Sequence, residues 1–108
     1  MKAFIATFFA APLFCLATAA VAQSDAGKDA LYVKSLAATC ANCHGTNGKA
    51  VDGSSVVSIA GLDKAYTIAQ MTAFKNGTRP ATVMHQLAKG YSDAQIELIA
   101  TYFAALKK

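Results

Sequence analysis

The chain has 108 residues, with ten Lys and Arg against six Asp and Glu and a formal net charge of +4. One domain is the default at this length, and so small and scattered a positive balance excludes an electrostatic grip on nucleic acid. It is still enough to help steer the protein toward an acidic partner.

Met1-Lys2 is a short charged start, followed by the charge-free run "AFIATFFAAPLFCLATAAVA" that ends in Ala20-Val21-Ala22. A charged opening, an apolar middle and small residues at the end predict a secretory leader over 1–22, and with it export to the periplasm and no membrane anchor after cleavage. Cys15 falls in the apolar middle after Pro12-Leu13-Phe14, which is too bulky for a lipid-attachment motif. Residues 23–108 are then one small domain. A domain of that size buries a limited fraction of its surface and commonly needs a disulfide, metal or cofactor to hold it. A disulfide between Cys40 and Cys43 would close a tiny loop and constrain little.

Within the domain, Val33, Leu36, Ala37 and Cys40 recur at helical spacing. They predict a first helix that starts between Asp25 and Lys28 and runs into the cysteine pair. The stretch "GTNGKAVDGSS" reads as loop. Asp63 caps a second helix over 64–76, with Gly77 just past its end. A shorter helical turn covers 81–89 and stops at Gly90. Ser92 with Gln95 has the capping-box pattern, and Ile96, Ile99, Ala100 and Phe103 form one face of the last helix, extended by Leu106. No stretch alternates as a strand. The expected class is all-α, with three to four helices and long irregular connections. Such connections are unusual in a small domain and make sense if they wrap around something.

Residues 40–44 are Cys40-Ala41-Asn42-Cys43-His44. C-x-x-C-H is the attachment pattern of c-type haem. Two thiols three positions apart at a helix end reach two vinyl groups on adjacent pyrroles, and the next residue supplies an imidazole below the iron. Dithiol redox chemistry expects a βαβ context that is absent. Zinc needs four ligands in spaced pairs, and a distant His85 does not complete them. For the opposite face of the iron the chain offers Met84 as leading candidate, His85 as rival, and an open position as the third case. Met71 sits among Ile68 and Phe74, where a methionine fills core. No catalytic base or nucleophile stands out. Ala41 and Asn42 are candidates for the patch through which electrons leave. The apolar residues Tyr66, Ile68, Met71 and Phe74 lie on more than one side of the second helix, facing either the interior or a partner.

"CANCHGTNG", a middle helix ending in "FKNG", a methionine after "RPATV", and the final "YSDAQIELIATYFAAL" together resemble a class I cytochrome c. The run "RPATVMHQLAKGYSD" is most similar to the monohaem cytochrome subunits of flavocytochrome c sulfide dehydrogenases. The resemblance covers nearly all of 23–108. It implies one haem c on Cys40 and Cys43, with His44 and Met84 as axial iron ligands, and a crossing of the first and last helices near Leu31, Tyr32, Leu36, Tyr102 and Phe103. It implies an electron-transfer subunit without catalytic residues of its own. That subunit takes electrons from a FAD-bearing sulfide-oxidising flavoprotein and passes them to another periplasmic carrier. The alternatives are a free-standing soluble carrier of the c4 or c5-like type between respiratory complexes, and a haem sensor with an open sixth site. One departure stands out: Val57 occupies the place where many class I cytochromes have a proline whose carbonyl receives the proximal imidazole. The carbonyl of Val57 or Ser58 is expected to accept from His44 Nδ1 instead.

Overall fold

The computed structural model describes residues 25–108, so the expected leader over 1–22 and its Cys15 lie outside the described residues. Four α-helices follow in order: α1 Asp25–His44, α2 Lys64–Asn76, α3 Met84–Lys89 and α4 Asp93–Ala104, with a 3-10 turn Thr46–Gly48 after α1. There is no strand among the described residues. No helix among them is long and apolar enough to cross a membrane.

The helix ends follow local chemistry. Asp63 Oδ1 accepts from Tyr66 N at 2.8 Å and starts α2, and the Gly77 N–H closes it on Ala73 and Phe74 carbonyls. At α4 the capping box is reciprocal: Gln95 N donates to Ser92 Oγ at 3.1 Å, and Ser92 N donates to Gln95 Oε1 at 2.9 Å. Two otherwise orphaned N–H groups are thereby satisfied. The segment from 81 to 83 is not helical. The short helix begins only at Met84, after Pro80 and a non-helical Val83 that gives no side-chain cap.

The core has two clusters. Ala37, Ile99 and Phe103 pack with Leu36, Cys40, Ile59, Tyr102 and Leu106 where α1 crosses α4. Met71, Ala88 and Ile96 pack with Ile68, Phe74 and Met84 where α2, α3 and α4 meet. Tyr91 touches both. Phe103 and Ile96 are the largest fully buried side chains, and each contributes roughly 1.5–3 kcal/mol by leaving water. Of the residues the resemblance implies at this crossing, Leu36, Tyr102 and Phe103 are in the cluster and the Tyr32 hydroxyl accepts from Gln95 Nε2 of α4 at 2.9 Å, while Leu31 stays 68% exposed. Ala37 on α1 is itself buried, at 3% exposed, beside Ile99 and Phe103 of α4.

Polar ties hold the helices in register. Thr39 Oγ1 donates to Leu36 O at 2.7 Å, so the Tyr91 hydroxyl is the donor in its 2.5 Å contact with Thr39. Lys75 Nζ donates to Tyr91 O and to Asp93 Oδ1, both at 2.8 Å, which fixes the end of α2 to the start of α4. Lys64 and Glu97 pair at 2.9 Å between the same helices.

Candidate functional site

The long connection after α1 is folded back rather than loose. Gly48 O accepts from Ile59 N at 2.7 Å and from Ala60 N at 3.0 Å, and Gly61 N donates to Phe103 O at 2.8 Å. Gly48 is buried with φ +75°, and a Cβ there would lie 2.6 Å from a Phe103 ring carbon and 2.7 Å from Ile59. Only glycine meets both conditions. This pin places Val57, two residues before Ile59, against the end of α1.

There His44 Nδ1 and Val57 O are 2.6 Å apart. A carbonyl only accepts, so Nδ1 carries the proton and donates. In the neutral ring Nε2 therefore keeps its lone pair, the state a metal ligand needs. The backbone carbonyl of Val57 accepts this bond without a proline at that place, because residue type does not change the acceptor. Gly45, with φ +86°, turns the chain straight after His44, and a Cβ there would sit 2.1 Å from Lys49 O.

His44 faces a cavity of about 260 Å³ closed by α2, α3 and the segment around Val57 to Leu62. Met84 and Met71 also line it, with Tyr66, Phe74 and Arg79. His44 and Met84, forty residues apart, reach one cavity from separate elements. Met71 also reaches it but is 8% exposed and locked into the second core cluster. His85 does not line the cavity; its Nδ1 is buried without a hydrogen-bond partner, so it is less of a surface residue than its sequence neighbourhood implies. On α2, Tyr66, Met71 and Phe74 face the cavity and Ile68 packs on core, which resolves the choice between interior and partner toward the interior.

The two cysteines are free thiols on the turn that ends in His44; Cys40 is half-buried and Cys43 exposed. Burial pushes the Cys40 thiol above its ordinary range, with the neighbouring Thr39 hydroxyl acting in the other direction. Asn42 is exposed beside Cys43, whereas Ala41 is half-buried and lines a second, smaller hollow against α4. Among the described residues no three of His, Cys, Asp or Glu gather as a metal-ion site. The donor set at the main cavity is instead the His44 imidazole and the thioethers of Met84 and Met71, with two thiols close by in sequence. Imidazole and thioether are the donor types that hold haem iron in electron-transfer proteins. The mostly apolar walls suit a flat apolar macrocycle, so the residues present fit haem c. Gln70 and Arg79 also stand at the cavity lip and do not stand out in the sequence; the spacing Tyr66, Gln70, Phe74 on one face of α2 marks Gln70, and no such spacing marks Arg79.

An all-α fold whose first helix ends in Cys-x-x-Cys-His beside such a cavity defines a class I c-type cytochrome. Residues 30–107 match the family model for cytochrome c, and the chain belongs to that family: it is an electron-transfer protein of the haem c type. A cytochrome subunit of sulfide dehydrogenase from Chlorobaculum tepidum is 47% identical over 74 residues, which take in 68% of this chain and 64% of that relative. Cytochrome c-553 from Helicobacter pylori is 35% identical over 77 residues, covering 69% of this chain and 78% of its own length. The solved cytochrome c4 of Acidithiobacillus ferrooxidans superimposes with a TM-score of 0.58 at 39% identity, over 62% of this chain and 38% of that one. The chain therefore spans just under two thirds of the first relative and well under half of the c4 chain.

Proposed function

We propose that this chain carries one haem c on thioethers from Cys40 and Cys43, with His44 and Met84 as axial ligands. In this reading it serves as the cytochrome subunit that accepts electrons from a FAD-containing sulfide dehydrogenase subunit and hands them to another periplasmic carrier. The observation that carries the haem assignment is the convergence of His44 and Met84 on one cavity, with His44 Nδ1 tied to Val57 O at 2.6 Å. The partner assignment is supported by likeness to the Chlorobaculum subunit at 47% identity. Export follows from the expected leader over 1–22 and domain over 23–108.

A haem c held there by Cys40, Cys43, His44 and Met84 would supply one-electron redox chemistry. The protein contributes the rest. Val57 O fixes the ring plane of His44 and raises the basicity of its free nitrogen. Met71, Phe74 and Ile59 keep water from one side. Exposed Cys43 and Asn42 mark the edge nearest solvent, where an electron enters or leaves. The competing reading is a free-standing c4 or c5-like carrier, favoured by the c4 superposition. Purification from the native periplasm separates the two. Flavin absorption that co-elutes with the haem bands supports the subunit, whereas a lone haem protein supports the free carrier.

A further inference from the structure

Tyr91 stands between α3 and α4 and is the one residue common to the two core clusters. Its polar atoms engage three different helices. The backbone N–H donates to Ala88 O of α3 at 3.2 Å. The backbone carbonyl accepts from Lys75 Nζ of α2 at 2.8 Å. The hydroxyl donates to Thr39 Oγ1 of α1 at 2.5 Å, across 52 residues of sequence. These are the helices that carry or flank the candidate ligands. Thr39 directly precedes Cys40 on the helix that ends in His44, and Met84 opens α3, which packs with α2.

The hydroxyl contact is the part that packing does not require. A phenylalanine would fill the same space in both clusters, yet the ring carries an oxygen that reaches α1. Thr39 is exposed, and its own proton goes to Leu36 O at 2.7 Å, a bond that threonines commonly make to the preceding turn of a helix. It therefore offers Tyr91 an acceptor only. In the core, α1 otherwise reaches the α2–α3 half through α4, by Ile99 and Phe103 in one cluster and Ile96 in the other.

We propose that Tyr91 is a positioning residue for the redox site: its hydroxyl ties the helix that ends in His44 to the half of the fold that carries Met84, and so holds the methionine against displacement. The proposal rests on the haem reading given above. Tyr91 does not line the cavity; it acts through the elements it joins. Release of Met84 lets α2 and α3 draw away from α1, and the tie to Thr39 opposes that opening.

The test is a titration of the oxidised, haem-loaded protein with imidazole. Imidazole competes with Met84 and is read by loss of the weak red-region band of methionine-ligated oxidised haem. Its apparent affinity scales with the fraction of protein in which the methionine is released. Tyr91→Phe keeps the ring and loses one hydrogen bond, so it should raise imidazole affinity about fivefold. Thr39→Val, which removes the acceptor, should do the same, and the double variant should do no more than either alone. Thr39→Ser keeps the acceptor and should match wild type. Lys64→Gln, which breaks the Lys64–Glu97 tie between α2 and α4, should leave the affinity unchanged. Equal affinities in wild type, Tyr91→Phe and Thr39→Val overturn the proposal, as do additive effects in the double variant. An affinity that follows the urea midpoint through every variant, Lys64→Gln included, makes Tyr91 a general stabiliser and overturns it too. Should Tyr91→Phe fail to accumulate, Thr39→Val at its exposed position decides alone. A wild-type protein without the methionine band overturns the Met84 assignment and this proposal with it, whereas a normal band with no variant effect overturns the proposal only.

Discussion

Two side chains decide the chemistry, and their neighbours decide between them and their rivals. Met84 and Met71 both reach the cavity, but Met71 is 8% exposed inside a packed cluster, whereas Met84 stands at the start of a short helix after an irregular segment. Met84→Ala should therefore abolish the methionine band in the oxidised spectrum and lower the potential, since methionine ligation raises it. Met71→Leu conserves volume and should keep the band, at a cost below about 1.5 kcal/mol in denaturant unfolding. A preserved band in Met84→Ala would reverse the assignment. Gly48 is the residue on which the His44 geometry depends at a distance. Gly48→Ala would force a Cβ against Phe103 and Ile59 at φ +75°. Overpacking costs about 1–3 kcal/mol and the left-handed backbone a further 1–2 kcal/mol, roughly. A loss of about 2–5 kcal/mol is expected, together with a loosened Val57 carbonyl and an altered His44 ring orientation visible by NMR of the haem-loaded protein.

At the scale of the elements, α4 carries the largest buried face, Ile96, Ile99, Ala100 and Phe103, and its start is set by Ser92. Ser92→Ala removes the acceptor for Gln95 N and should destabilise the fold by about 1 kcal/mol, whereas Ser92→Gly should cost only a few tenths, roughly; urea midpoints at unchanged slope check both. Caps of this kind are legible in a sequence because both partners lie within one turn: Asp63, Gly77 and the Ser92–Gln95 pair all stand where the letters put them. So does the Cys40–His44 motif. The crossing of α1 and α4 is less legible. Leu31 and Tyr32 are neighbours of similar promise, yet Tyr32 reaches α4 through Gln95 while Leu31 stays exposed and the small Ala37 is buried, a difference that shows only once the partner helix is in place. The faces of α2 were undecidable for the same reason, since apolar residues on two sides look alike until one side meets core and the other a cavity. Arg79, whose Nη1 donates to Gln70 Oε1, joins residues nine apart across a helix end, a pairing that no helical or strand period marks.

The whole molecule has a thin core for its length. Among the described residues eight hydrophobic side chains are buried, and four of them are alanines: Ala37, Ala60, Ala88 and Ala100. An alanine removes little apolar area from water, so most of the burial energy falls on Met71, Ile96, Ile99 and Phe103. Against this stands the backbone ordering of two long connections, at roughly 1–2 kcal/mol per residue fixed. Several large apolar side chains also remain open, including Val57 at 68% and Tyr66 at 50% exposed, and both border the main cavity. These are the surfaces a covalently held macrocycle would cover. Small domains of this kind use a metal or cofactor as part of the core, and covalent attachment keeps it there even when packing is loose. Replacing both attachment points, Cys40→Ser with Cys43→Ser, should then do more than remove colour. The chain should lose most of its helical far-ultraviolet circular dichroism at 37 °C, while the haem-loaded parent keeps it. Retention of native helicity and a sharp thermal transition in the double variant would mean that the two clusters suffice alone, and that the cavity is a binding site rather than part of the core.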